Sequence, residues 1–131
     1  MKISSKGRYA LIFMSYLAKN YSKNIFISLK EVSDNENLSY KYLEKIVSIL
    51  NKNDFFEVSR GVNGGYKLKF SPDKYIIGDI LRVAEGTLSS VSCVDNETCN
   101  KKNECSAFLF FKGLYNNINE YVDSKTLKDF I

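Results

Sequence analysis

The sequence predicts a mainly α-helical fold carrying one small β-hairpin, and three observations predict it. Apolar residues recur at helical spacing in successive stretches, and two short β-prone runs flank a glycine-rich tip at 61–65. A single proline, Pro72, then marks a boundary before a second, differently composed part of the 131-residue chain.

The first helix is expected over 5–20, with Ser5 as its cap. Tyr9, Ala10, Leu11, Ile12, Phe13, Met14, Tyr16 and Leu17 cover nearly its whole circumference. A helix apolar all round must be buried on two sides. In so small a chain, a second subunit is the expected second cover.

Ser28-Leu29-Lys30-Glu31 reads as a capping box opening a short helix, with Leu29 and Val32 facing inward. Asp34-Asn35-Glu36-Asn37 supplies turn chemistry. Ser39 can cap the next helix, 40–51, whose buried stripe is Leu43, Ile46, Val47 and Leu50. Lys41, Glu44, Lys45, Ser48 and Lys52 fall on the opposite face. A short helix, a polar turn and a second helix with a basic outer face form a helix-turn-helix. Strands at 55–60 and 66–70 around Gly61-Val62-Asn63-Gly64-Gly65 make a hairpin directly after it. The whole reads as a winged helix-turn-helix.

Beyond Pro72, a short helix over 78–85 stops at Gly86. Residues 87–106 are polar, aperiodic and hold all three cysteines. A last long helix, 107–123, aligns Phe110, Phe111, Leu114, Ile118, Tyr121 and Val122 on one stripe. That much aromatic surface needs a partner; intramolecular docking and a homodimer seam both serve, and the seam is favoured. The expected organisation is a winged helix-turn-helix DNA-binding domain, 1–75, followed at 76–131 by the cysteine loop and the dimerisation helix.

Charge follows the same division. Residues 1–75 carry 13 Lys/Arg against 7 Asp/Glu, and residues 76–131 carry 6 against 8. The first 30 residues hold six basic side chains and no acid. A basic half joined to a mildly acidic half suits a polyanion-binding module with a separate sensing or pairing module. Lys2, Lys6 and Arg8 before the apolar stretch 9–18 imitate a signal peptide, but Lys19 ends the run and no small-x-small cleavage site follows. No apolar run approaches the ~20 residues of a membrane helix. A cytoplasmic protein without a membrane partner is expected, its cysteines held as thiols. No acid/base constellation suggests an enzyme.

Recognition helices set their N-terminal residues against base edges. Ser39, Tyr40, Lys41, Glu44 and Lys45 are therefore the candidate readers of double-stranded DNA. Glu44 can accept from a cytosine amino group or pair with Lys41. Arg60 can enter a narrow minor groove. Gly61, Gly64 and Gly65 permit close backbone approach, and an ordinary hairpin turn explains them equally.

The cysteines form Cys93-x5-Cys99-x5-Cys105 in a chain with no histidine. Soft thiolates favour zinc, copper(I) or iron–sulfur clusters. Structural zinc usually takes four ligands with short paired spacings. Three thiolates in one loop suit a cluster better, with a thiol redox switch as the alternative.

The chain resembles the IscR-like winged-helix transcription regulators, which include NsrR and CymR relatives. The resemblance rests on residues 1–10 (Met-Lys-Ile-Ser-Ser-Lys-Gly-Arg-Tyr-Ala), Leu38 to Glu44, Arg60 to Tyr66, the cysteine spacing and Thr126 to Phe130, and so spans essentially the whole chain. It implies a homodimer on a palindromic operator, its long helix crossing its two-fold mate. It also implies a 2Fe–2S or 4Fe–4S cluster controlling cluster-assembly genes. Where IscR-like members carry a ligating histidine three residues after the last cysteine, this chain has Phe108. Where NsrR-like members supply an aspartate from the partner's first helix, it has Arg8. Asp95, Glu97, Glu104, a non-acidic oxygen, a small thiol or an open iron site are left for the fourth position.

Overall fold

The computed structural model describes residues 2–91, 94 and 103–131. Helices α1 (Ser5–Lys19), α2 (Leu29–Glu36) and α3 (Tyr40–Leu50) precede strands β1 (Phe56–Ser59) and β2 (Gly65–Leu68). Helices α4 (Ile77–Glu85) and α5 (Phe108–Asp123) follow, with short 3-10 turns at Tyr21–Lys23, Pro72–Lys74 and Leu127–Phe130. The mainly helical fold with one β-wing is the one expected from sequence.

α1 is the central helix. Phe13 and Met14 are wholly buried, and Tyr9, Ala10, Leu17 and Ala18 join them in a core shared with Val32, Leu43, Ile46, Val47, Leu50, Ile80 and Leu127. α1 contacts α3 and β2, and also α4 and the turn at Leu127–Phe130. Its second cover is therefore largely supplied from within the chain. A second subunit was the expected second cover, and most of that cover comes from α4 and the Leu127–Phe130 turn.

Local chemistry refines the expected boundaries. Ser4, not Ser5, caps α1, its hydroxyl accepting from Lys6 N at 3.2 Å. Ser28 caps α2 by accepting from Glu31 N at 3.1 Å. The Glu31 carboxylate does not complete a capping box; it accepts from the Tyr16 hydroxyl at 2.8 Å and so ties α2 to α1. Asp34 to Glu36 stay helical, and the turn falls on Asn37, whose left-handed φ of 53° ends α2. Ser39 caps α3 as expected.

The hairpin pairs Phe56 with Leu68, Glu57 with Lys67, Val58 with Tyr66 and Ser59 with Gly65. An unforeseen third edge joins it, since Ile27 and Tyr66 exchange two backbone hydrogen bonds of 2.8 Å. Tyr75 closes the base of the wing. Its buried hydroxyl donates to Phe55 O and accepts from the Lys69 and Phe70 amides, and burial raises its pKa.

α5 has no buried residue. The stripe expected on it divides: Phe111, Leu114, Ile118 and Val122 are half-buried, whereas Phe110 and Tyr121 are 68% and 66% exposed, as is Leu109 at 80%. Arg82 of α4 anchors the far end of α5 with a two-point ion pair to Asp123 (2.8 and 2.9 Å) and a bond to Asn119. Gly78 makes that approach possible, since a Cβ there would lie 2.0 Å from the Asp123 carboxylate. The chain end then returns to the core: Leu127 N donates to Tyr75 O and its side chain is fully buried.

Candidate nucleic-acid interface and cysteine loop

The candidate reading head is built at the start of α3. The Ser39 hydroxyl accepts from Tyr42 N at 3.3 Å, which turns the backbone into the helix. Leu43, Ile46, Val47 and Leu50 lock the inner face into the core. That leaves Ser39, Tyr40, Lys41, Glu44 and Lys45 exposed together on the outer face. The alternative ion pair of Glu44 with Lys41 does not form, and no salt bridge engages Lys41, Glu44, Lys45 or Arg60 among the described residues. These charges stand solvated and available.

The wing lies beside this helix. Tyr66, on β2, packs edge-on against Phe13 and Phe56. Its hydroxyl pKa is raised, first by burial and then by the negative charge of Glu44 and by Tyr40, so it remains a neutral donor near the α3 surface. Arg60, Val62 and Asn63 are exposed at the tip. The three wing glycines have different reasons to be glycine. A Cβ on Gly64 would sit 2.3 Å from Ser59 O, and one on Gly65 would sit 2.2 Å from Ile27 O. Gly64 is therefore required by the hairpin tip and Gly65 by the Ile27 edge that joins it. Gly61, with φ +104° and nothing within 4 Å of an added Cβ, is the glycine whose surroundings stay open.

Two tyrosine and glutamate contacts support this head and were not read from the sequence. The Tyr9 hydroxyl accepts from Ser39 N at 3.1 Å, and its ring meets Tyr42 edge-on at 4.8 Å. The Glu85 carboxylate, at the end of α4, accepts from Ser4 N, the Ser4 hydroxyl and Gly7 N. A buried tyrosine needs a partner for its hydroxyl, and that is the one sequence signal that could have singled out Tyr9.

Of the three cysteines, Cys105 is exposed, just before α5, while Cys93 and Cys99 lie outside the described residues, as do Asp95 and Glu97. In the sequence the three cysteines offer soft thiolates of the kind an iron–sulfur cluster takes. The fourth position finds no donor at the two places the resemblance would use. Phe108 is half-buried at the start of α5, and Arg8 is exposed with its guanidinium 5.5 Å from the Tyr9 ring. Neither side chain can ligate iron. Glu104 is described and exposed. No group of three potential metal ligands comes together among the described residues. No helix among the described residues is long and apolar enough to cross a membrane.

Residues 3–131 match the Rrf2 family model, described as an iron-dependent transcriptional regulator. The chain is similar to the HTH-type transcriptional regulator CymR of Bacillus subtilis, 40% identical over 129 residues, 98% of this chain and 88% of that protein. The solved structure of that protein, the global cysteine regulator of B. subtilis, superposes with a TM-score of 0.80 at 38% identity, covering 98% of this chain and 95% of the other. Staphylococcus aureus CymR in an oxidized form gives a TM-score of 0.78 at 34% identity, over 98% and 94% of the two chains. T. potens IscR gives 0.75 at 32% identity, over 98% and 85%.

Proposed function

Because the chain belongs to the Rrf2 family of transcriptional regulators, we propose that it is a cytoplasmic, homodimeric DNA-binding regulator whose operator affinity is set by its cysteine loop. The observation that carries the DNA reading is the exposed face at the start of α3, where Lys41, Glu44 and Lys45, like Arg60 on the adjoining wing, make no ion pair among the described residues. Lys41 and Lys45 suit guanine or phosphate, Glu44 a cytosine amino group, and Arg60 the minor groove. Ser39 and Tyr40 lie at the groove-facing start of the helix, and Gly61 lets the tip approach the backbone. Leu109, Phe110 and Tyr121 on α5 supply the apolar surface for a two-fold seam, and a two-fold dimer calls for a palindromic site.

In the leading reading the cysteine loop, with Cys93, Cys99 and Cys105 as ligands, holds a 2Fe–2S or 4Fe–4S cluster that modulates binding at cluster-assembly or related genes. A second reading, a thiol redox switch on the same cysteines, is favoured by Phe108 and Arg8 and by the likeness to an oxidized CymR. Binding of labelled duplexes, selected by the protein from a random pool, tests the common part. Affinity should fall linearly with log salt, because Lys and Arg displace phosphate counterions. A flat salt response removes the DNA reading. Anaerobic purification and reconstitution separates the other two: visible absorption with iron–sulfide Raman bands supports the cluster, and colourless protein with reversible thiol oxidation supports the switch.

A further inference from the structure

We propose that the wing tip carries a modification site: the backbone converts Asn63 to aspartate when the tip turn opens, and the product weakens the contact of Arg60 with DNA. The second half rests on the DNA-binding reading above.

Asn63 is followed by Gly64. The side-chain amide of an asparagine is open to attack by the backbone nitrogen of the next residue, and glycine leaves that nitrogen least obstructed. Asn63 is exposed, and its side-chain amide makes no hydrogen bond among the described residues. The Gly64 nitrogen gives its proton to hydroxide and bonds to the side-chain carbonyl carbon of Asn63. The bond from that carbon to the amide nitrogen breaks, and ammonia leaves with a proton from water. Water then opens the resulting cyclic imide at either carbonyl. One product is aspartate at 63; the other is isoaspartate, whose main chain runs through the former side chain. No oxidant or reductant enters.

The fold sets a gate on this chemistry. Residues 61–64 form a β-turn closed by Gly64 N–H donating to Gly61 O at 3.0 Å, and neither Val62 nor Asn63 has a positive φ. The proton that the reaction must release is therefore held by Gly61 O. The turn also lacks slack, since a Cβ on Gly64 would lie 2.3 Å from Ser59 O and 2.9 Å from Arg60 C. Attack waits for the tip to open locally. Pairing of Ser59 with Gly65, and the Ile27–Tyr66 bonds behind it, resist that opening.

The tip also decides the consequence. Positions 60–64 hold Arg60 and no acid, and Arg60 makes no ion pair among the described residues. A carboxylate at 63 competes with phosphate for that guanidinium and repels the DNA backbone. Isoaspartate adds a main-chain atom to a turn with no room for it, and so moves Arg60 as well.

The test ages native wild-type protein at mildly alkaline pH, with urea-unfolded protein alongside, and follows residue 63 by peptide mass mapping. Modification should accumulate in both, about 5- to 100-fold more slowly in the native protein, because hydrogen bonds must open first. Gly65→Ala, which lifts the wing off Ile27, should bring the rate within roughly threefold of the unfolded chain. If that variant does not fold, the wild-type ratio alone decides the gate. Asn63→Asp and the aged protein should bind a duplex selected by fresh wild type at least about fivefold more weakly, with a salt slope shallower by about one. Asn63→Gln, whose longer side chain closes the imide poorly, should resist ageing and bind like wild type. A native rate equal to the unfolded rate, or no modification at 63 in native protein, overturns the gated site. Asn63→Asp that binds like wild type, or Asn63→Gln that binds as weakly as Asn63→Asp, overturns the effect on DNA and leaves the DNA reading standing. Wild type without salt-dependent binding overturns that reading and the effect together.

Discussion

Gly65→Ala separates a structural role for the wing glycines from a role in approaching DNA. The added methyl would lie 2.2 Å from Ile27 O, 2.4 Å from Ile27 C and 2.8 Å from Ser28 N. All three are backbone atoms, so no rotamer change relieves the overlap. The wing must move off the Ile27 edge, which breaks the reciprocal Ile27–Tyr66 hydrogen bonds of 2.8 Å. Those two bonds are worth about 0.5–1.5 kcal/mol each. Holding a side chain at the φ of +153° that Gly65 adopts adds about 1–2 kcal/mol. The total is roughly 2–5 kcal/mol of lost stability, which should lower a urea midpoint by about 1–2 M with little change in slope. Gly61→Ala is the control, since nothing lies within 4 Å of its added Cβ. Its cost should be confined to backbone strain of about 1–2 kcal/mol. Urea unfolding followed by far-ultraviolet circular dichroism measures both. A Gly65→Ala protein within 0.5 kcal/mol of wild type would refute the pinned-wing reasoning, by the usual threshold for a surface change.

Other perturbations probe the remaining joints. Tyr75→Phe removes a hydroxyl shared by Phe55 O, Lys69 N and Phe70 N, and should cost about 1–3 kcal/mol in chemical unfolding, because Phe70 N loses its partner. Arg82→Ala should loosen α5 from α4; the pair is partly exposed, so a loss of only about 1 kcal/mol is expected, with faster hydrogen exchange along the 108–123 helix as the readout. Arg60→Ala should weaken a selected operator by about 1–3 kcal/mol and leave the fold intact, and unchanged affinity would remove the wing from the interface. Cys99→Ser should abolish cluster colour after reconstitution and leave the dimer unchanged in size-exclusion chromatography.

The parts of the fold legible in the sequence are those written in short-range periodicity. The α3 stripe of Leu43, Ile46, Val47 and Leu50 is a helical repeat, and all four are buried. The hairpin was visible because β-prone runs bracket a glycine cluster. Its third edge was not, since Ile27 pairs through backbone atoms across 39 positions of sequence and leaves no pattern. Glu31 shows the limit of a local motif. The box residues are present, but the Tyr16 hydroxyl takes the carboxylate that the motif would have turned back on its own helix. Glu85 was unreadable for the complementary reason: an acid ending a helix resembles any solvated residue until the fold brings Ser4 and Gly7 beside it.

The apolar circumference of α1 gives the sharpest lesson about assembly. From sequence it argued for burial between two bodies, and a second subunit was the natural second body. The chain meets the same requirement largely by itself, packing α3, β2, α4 and the turn at Leu127–Phe130 against α1. Evidence for a dimer thereby moves off α1 and onto α5, where Leu109, Phe110 and Tyr121 are more than half exposed. A large aromatic surface on a helix with no buried residue is a poor solution for a monomer in water.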